Sequence, residues 1–439
     1  MARGVNREAA VRCGCAGKTP LDRVVLPARE RIRSRLSDTS VSLGPDRDAA
    51  LLPRHDRIES DAEAVALNGR APTGPTDGGE TWSLAAAFAG DRLADPERFS
   101  EAVGEAYAAL DGRPVTVGKG HAVQVPGADD GALWLEHLRP RGPRRDGVLA
   151  ANVDAIHGFP GLSPAESLRI AILNACNDLH AVGAVADREV RPLVAAPRRE
   201  LPADASVATW AADSVPVDAT ALPPATVEHD GEGWLFGASV RAVALRAPAT
   251  PSLEPGFGVL LTRPLGGLAL YAHGVASDDG EFRERGLERL RTDTRPIAEA
   301  LAPFRPDPGE PFDPDRHVAR VTDVSGEGVA GIGRVVADAG RSLRVEALPP
   351  LPGVDEIADA WTVPDVTVET NGPLAVVARP GVLDRVADRL GEIPGSRPRR
   401  LGTIARDGPR LSAAPGCEAA RYVERAARWD GEPGERDSA

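Results

Sequence analysis

Lysine is almost missing from this chain of 439 residues: it occurs only at Lys18 and Lys119, while Lys and Arg together number 52. Against 65 Asp and Glu this leaves a formal net charge of −13. Such a balance disfavours a nucleic-acid or anionic-membrane partner unless basic groups cluster locally. The acidic, lysine-poor, alanine- and arginine-rich bias fits a halophilic, high-salt cytoplasm, where exposed ion pairs are screened and surface acids serve solubility. Long apolar runs are lacking too. No window reaches the ~18 apolar residues of a membrane span, and the charged N-terminus has no signal-peptide core, so a soluble, cytoplasmic protein is expected. Cysteine occurs four times, at Cys13, Cys15, Cys176 and Cys417, without the even spacing of a disulfide framework, which points to a reducing compartment. Collagen-like and solenoid repeats are absent.

The most informative stretch runs from Val148 to Val194. An apolar run, Val148 to Val153, ends on Asp154, where a buried strand surfaces at its C-terminal edge and meets a ligand. Ser163-Pro164-Ala165-Glu166 then supplies an N-cap hydroxyl, a proline at the first helical position and a first-turn carboxylate. Leu168, Ile172, Ala175 and Leu179 recur at helical steps and predict one buried face. Among them stand Asn174, Asn177, Asp178 and His180. These form either a solvated stripe or the polar lining of a site.

Near the N-terminus, Cys13-Gly14-Cys15 is followed by Lys18, one of only two lysines, and a cation lowers a thiol's pKa toward the reactive thiolate. Cys-Gly-Cys is too short for a zinc site, and no second pair follows at zinc spacing. Gly17-Lys18-Thr19 lacks the upstream glycine and the strand of a phosphate-binding P-loop. The stretch after Pro20 reads as a short helix. Residues 37–79 show no sustained periodicity and read as a solvated insertion. Helical spacing returns between Trp82 and Leu110, and two strands are expected at Pro114–Val117 and His121–Val125. Asp129-Asp130 lies among glycines, in a metal-binding loop or a turn.

Pro202 to Thr226 reads as a proline-rich loop and Gly233 to Leu245 as a strand. Val259 to Thr262 leads into Arg263-Pro264-Leu265-Gly266-Gly267. From His317 the design of an apolar run, a terminal acid and glycines repeats: Asp323 closes the run, Gly326 and Gly328 follow, and a helix is expected over Val329–Ala339. A third strand–helix unit, Leu374–Val377 then Val382–Leu390, is expected to end the folded part, with fraying after Tyr422. Two halves that alternate strands and helices argue a mixed α/β (α+β) protein. Asp130, Asp154, Asp178 and Asp323 are hard oxygen donors in loop or strand-end settings, which suit magnesium and hence a phosphate substrate; singly, each is also an ordinary turn or cap residue.

Taken in order, these blocks resemble selenophosphate synthetase (selenide, water dikinase), of the superfamily that also holds aminoimidazole ribonucleotide synthetase. Cys13-Gly14-Cys15 with Lys18 resembles its Cys-Gly-Cys-Lys signature, with Ala16-Gly17 intruding. Asp129-Asp130-Gly131-Ala132 is similar to its Asp-Asp-Ala-Ala loop, and Asn152-Val153-Asp154 to its Thr-Thr-Asp. Asn174-Ala175-Cys176-Asn177-Asp178 matches an Asn-Ala-x-Ser-Asp helix; Thr262-Arg263-Pro264-Leu265-Gly266 and Thr322-Asp323-Val324-Ser325-Gly326 match two further blocks. The family's Gly-Gly-His-Ser segment is reduced to the neighbourhood of Glu228-His229-Asp230, and its Thr-Ser-Gly-Gly to Thr370-Asn371-Gly372-Pro373.

The resemblance implies Cys13 as the reactive cysteine with Lys18 as its cationic partner. It implies magnesium on Asp130, Asp178 and Asp323, and nucleotide contacts from Asp154 and Asn174. It also implies a two-domain fold whose N-terminal-domain strands join into a barrel across a homodimer, with ATP and selenide or sulfide as small-molecule partners. The corresponding organisation is a mobile cysteine segment at 1–36, a partly disordered insertion at 37–113, an ATP- and metal-binding domain at 114–246, an α/β domain at 256–422 and a flexible tail at 423–439. The expected activity is ATP- and magnesium-dependent phosphoryl transfer yielding selenophosphate or a sulfur analogue. Its rivals are ATP-dependent activation of a carbonyl oxygen, as in purine-pathway enzymes, and a non-catalytic nucleotide-binding relative in sulfur or selenium metabolism.

Overall fold

A computed structural model describes residues 13–15, 31, 34–38, 42–43, 50–52, 116–117, 148–200, 202–229, 233–246, 251–307, 309–357, 366–408 and 410–431. The chain divides into two units, one of residues Thr19–Gly158 and Leu162–Leu245, the other of Met1–Lys18, Phe159–Gly161 and Arg246–Ala439. The expected helix between Trp82 and Leu110, the strand at 121–125, the Asp129-Asp130 loop and Lys18 lie outside the described residues.

In the first unit one sheet joins β1 (Ser42–Leu43), β2 (Ala50–Leu52), β3 (Thr116–Val117), β4 (Val148–His157), β5 (Ala184–Pro197), β6 (Thr220–Ala221), β7 (Ala225–His229) and β8 (Leu235–Ala244). Their order is β1-β3-β2-β4-β8-β5-β6, with β7 also on β5. Among the described residues this is an open path and not a closed barrel. β4 and β8 run antiparallel in unbroken register from Val148 opposite Ala244 to His157 opposite Leu235. Gly237 makes that pairing close where it matters, since a Cβ there would lie 2.3 Å from the Asp154 carbonyl oxygen.

Helix α1 (Pro164–Ala181) starts where the sequence says it should. Ser163 Oγ accepts from the Glu166 amide at 3.2 Å and the Glu166 carboxylate accepts from the Ser163 amide at 3.4 Å, a reciprocal box with Pro164 in the first turn. Leu168, Ile172 and Leu179 are fully buried, each worth ~2 kcal/mol of transfer free energy. The polar residues are buried as well: Asn174, Asn177, Asp178 and His180 all lie at 7 % exposure or less. The solvated-stripe alternative is therefore excluded. Burying four polar side chains costs free energy unless each is hydrogen-bonded, so the helix carries groups that simple packing would have replaced with leucine.

Two expectations for this unit fail. β4 does not surface at Asp154: the strand runs on to His157, and Asp154, paired opposite Ala238, is 5 % exposed. The stretch read as a loop from Pro202 to Thr226 contains α2 (Asp204–Ser214), with Val207 and Ala211 buried. Pro202, Pro216, Pro223 and Pro224 lie outside the helix, and the alanine-rich run between them is free to propagate.

The second unit holds a sheet in the order β10-β12-β9-β13-β11-β14. Its strands are β9 (Gly258–Leu261), β10 (Arg320–Asp323), β11 (Ser342–Val345), β12 (Leu374–Ala378), β13 (Arg399–Ala405) and β14 (Leu411–Ala413). All neighbours are antiparallel except β11 and β14. The helices are α3 (Gly267–Ser277), α4 (Gly280–Leu290), α5 (Arg295–Leu301), α6 (Gly328–Asp338), α7 (Val354–Ile357), α8 (Pro380–Gly391) and α9 (Ala420–Gly431). The strand at 259–262 and the helices at 329–339 and 382–390 stand within a residue or two of where they were expected. The folded elements do not end at α8: two strands and α9 follow, the last running through Gly431. No helix among the described residues is long and apolar enough to cross a membrane.

Candidate functional site

The first unit brings three of the expected residues together. On β4, Asn152 and Asp154 are two apart and share one face; on α1, Asn174 and Asp178 are four apart and share one face. Two residues of strand span about 6.6 Å and four residues of helix about 6 Å, so the pairs meet as two parallel rungs. Asn152 Nδ2 donates to Asp178 Oδ2 at 2.6 Å and also to the Ala175 carbonyl at 3.1 Å. Asn174 Nδ2 donates to Asp154 Oδ2. Each rung sets an amide against a carboxylate, in opposite directions, and all four side chains are at most 7 % exposed. An amide fixes a carboxylate's orientation but leaves its negative charge in place.

The Asn152 amide oxygen is buried and accepts no hydrogen bond. A lone acceptor beside oriented carboxylates is a donor set of hard oxygens, the kind that takes a magnesium ion or its bound water. Two carboxylates and an amide oxygen are chemically compatible with the expected cation. Further along α1, His180 meets Arg188 Nη1 at 3.4 Å, and the Arg188 guanidinium pairs with Asp218 at 2.6 Å. These groups serve the packing of β5 on α1.

In the second unit Asp323 closes β10 opposite Leu374 of β12 and is 4 % exposed. The loop after it is pinned by a backbone bond and a side-chain bond. The Glu369 amide donates to the Ser325 carbonyl at 3.0 Å and the Val329 amide to Thr367 Oγ1 at 3.1 Å. Gly328 sits at φ +57°, and a Cβ there would lie 2.4 Å from Thr367 Oγ1, so this position admits only glycine. Among the described residues no three His, Cys, Asp or Glu side chains gather closely enough to hold a metal ion. Asp130, expected as a third ligand, lies outside the described residues, as does Lys18.

The cysteine turn belongs to this second unit. The Cys15 amide donates to Thr370 Oγ1 at 2.8 Å. Gly14 lies at φ +55°, and a Cβ there would stand 2.4 Å from the same hydroxyl oxygen and 2.9 Å from the Phe159 ring. Cys13 is fully buried, and that burial pushes its thiol up to about 12 against a smaller lowering by a backbone hydrogen bond. The sulfur is held here as a neutral thiol, opposite in direction to the activated thiolate expected beside a lysine.

No protein-family model matches the chain, and no curated protein matches it. Solved structures do. The hydrogenase maturation protein HypE from E. coli aligns with a TM-score of 0.45 and 16 % identity over 62 % of this chain and 82 % of that one. HypE in complex with ATP gives 0.46 and 16 % over 63 % and 85 %. A thiamine-monophosphate kinase from Stenotrophomonas maltophilia K279a gives 0.43 and 16 % over 61 % and 89 %. The chain is similar to each over most of that protein's length.

Sequence reasoning passed over Glu369, and it named Arg263 only as part of the Thr262–Gly266 block, without a role. Helix α3 opens at Gly266 without a side-chain cap of its own, and Glu369 supplies one from 101 to 103 residues away. Its carboxylate accepts from the amides of Gly266, of Gly267 at 3.0 Å and of Leu268 at 3.2 Å. Burial nevertheless pushes the Glu369 carboxyl up to about 7, outweighing those three amides and the nearby Arg263. Burial likewise lowers Arg263 to about 10. Arg263 Nη2 donates to the carbonyls of Asn371 at 2.9 Å and Gly372 at 2.7 Å. The only signal in the sequence was the glycine pair at a helix start, which leaves three amides in need of an acceptor. A groove of about 620 Å³ beside α8, lined by Asp388, Arg397 and Arg399 among others, holds none of these residues.

Proposed function

We propose that the chain is an ATP- and magnesium-dependent phosphotransferase that makes selenophosphate or a sulfur analogue. The observation that carries this reading is the pair of Asn–Asp rungs with the unpartnered Asn152 oxygen, standing in the two sequence blocks that resemble nucleotide- and metal-binding blocks of selenophosphate synthetase. When bound, magnesium neutralises charge on the transferring phosphoryl group. Asp178 and Asp323, with Asp130, are the residues proposed to hold it; Asp154 and Asn174 are proposed to contact the nucleotide. The rungs hold the β4 and α1 side chains fixed before any ligand arrives, so little side-chain ordering remains to be done at the moment of transfer. Cys13, with Lys18, is proposed to deliver the chalcogen nucleophile.

A second reading is favoured by one finding. Because Cys13 is buried and neutral in this conformation, ATP chemistry that needs no thiol, such as activation of a carbonyl oxygen, accounts for the rungs equally well. ATP consumption measured with and without selenide or sulfide separates the two. Consumption that depends on the chalcogen supports the first reading, and consumption indifferent to it supports the second.

Among the described residues the sheet of the first unit is open at its edges, and the proposed assembly joins it to that of a second copy in a shared barrel. The protein is expected to sediment as a homodimer in molar salt; a monomer that still turns over ATP would contradict that assembly.

A further inference from the structure

The seat of the cysteine turn has three walls, all in the second unit. Thr370 accepts from the Cys15 amide, Phe159 closes on Gly14, and Gly326 packs so near that a Cβ there would lie 3.2 Å from Cys15. Phe159 is itself braced edge-on by Tyr271 at 5.4 Å, and the Tyr271 hydroxyl donates to the Pro160 carbonyl at 2.7 Å. Thr370 is carried by the segment 367–372, which is tied on every side. The Glu369 amide holds Ser325, Asn371 Nδ2 donates to the carbonyls of Leu290 at 2.9 Å and Thr292 at 2.8 Å, and Arg263 holds the carbonyls of Asn371 and Gly372. The Glu369 carboxylate caps α3. Of these ties only the last ends on a group that changes charge near neutral pH; the others are amides, carbonyls and a guanidinium.

We propose that Glu369 and Thr370 form a latch that keeps the Cys13-Gly14-Cys15 turn seated and the Cys13 sulfur covered, and that release of Glu369 from the start of α3 unseats the turn and exposes the thiol. The proposal deepens the reading of Cys13 as the reactive cysteine, but thiol exposure needs neither ATP nor turnover, so the latch and the activity fail separately.

The direction of the pH response follows from the burial of Glu369. The charged groups around it are Arg263 and, acting on Arg263, Arg289 of α4 and Asp293 beyond it. Seated, the carboxyl titrates at about 7; released into water it returns to its ordinary 4.5. The seated state therefore binds the proton more tightly, is most populated below the ordinary value, and loses ground as pH rises to about 7. Above that the opening constant levels off, about 300-fold higher than at the acid end, the ratio set by those two values.

The test is alkylation of Cys13 on the full chain, read by peptide mass spectrometry and divided by the rate for a small free thiol in the same buffer, which removes the ordinary thiolate dependence. In the parent protein the normalised rate should climb by a factor on the order of 100 between pH 5 and pH 8 and then level off. Glu369→Gln, neutral at every pH, should show a normalised rate that does not change with pH. Thr370→Val, which removes one hydrogen bond from the seat, should raise the rate at pH 5 about five- to tenfold, while Thr370→Ser, which keeps the hydroxyl, should match the parent. A flat normalised profile in the parent, the parent's profile in Glu369→Gln, or a parent rate in Thr370→Val would each overturn the latch.

Discussion

Asp178→Asn is expected to lower nucleotide turnover by a factor on the order of 10² to 10³ while leaving the fold in place. The two halves of this result have separate causes. The rung to Asn152 needs only an acceptor at position 178, because Asn152 Nδ2 is the donor. An amide oxygen can accept that bond, so β4 stays registered on α1 and the melting temperature should change little. The negative charge, which the neutral amide partner never cancelled, disappears. If charge at this position holds the cation against the phosphates, turnover collapses without unfolding. Circular dichroism together with an ATP-consumption assay reads both halves, and unchanged turnover in a folded variant would remove Asp178 from the site.

Glu369→Gln is expected to gain stability relative to the parent as pH rises. In the folded chain the carboxyl titrates at about 7 and in the unfolded chain near 4.5. Between those values the native state binds more protons than the unfolded state, so the Glu369 contribution is fully present below pH 4.5 and is lost as pH climbs to about 7. The loss is about 3 kcal/mol, since each tenfold change in proton affinity is worth ~1.4 kcal/mol. Glutamine has no charge to desolvate and keeps one oxygen for the Gly266 and Gly267 amides, but its Nε2 cannot accept from Leu268 as Glu369 Oε2 does. The stability difference should therefore shift in favour of the variant by about 3 kcal/mol between pH 4.5 and pH 8. Thermal or denaturant melts across that range provide the check; a difference that does not change with pH would show that the buried carboxyl titrates normally.

What could be read from the sequence divides along a physical line. Signals carried by neighbours in the chain were legible: the box at Ser163 and Glu166 and the apolar run that forms β4; the end of that strand was not, since β4 runs past Asp154 to His157. The α2 helix was not, because the prolines around it outweighed a short alanine-rich run that α1 helps to hold: Ser214 Oγ donates to the Ala165 carbonyl at 2.8 Å. For the candidate site, the residues Asp154, Asn174 and Asp178 were legible by type, and the polar residues of α1 posed the right question. Their pairing was not, since the match of two strand residues to four helix residues exists only once β4 and α1 pack. Glu369 was invisible for a similar reason: its partners lie some hundred residues earlier. Even the sign of the Cys13 environment could not be read. A lysine nearby in sequence argues for a thiolate, whereas burial in the turn's seat decides for the thiol.

Cys13→Ser most directly tests whether the ATP chemistry and the thiol serve one reaction. The change replaces a strong nucleophile at nearly constant volume and leaves both Asn–Asp rungs and Asp323 untouched. With magnesium present, calorimetry should show ATP bound as tightly by the variant as by the parent. Phosphorus NMR of the two proteins supplied with ATP and selenide or sulfide should then show a chalcogen–phosphorus product from the parent and none from Cys13→Ser. Product formed by the variant at the parent's rate would contradict the account.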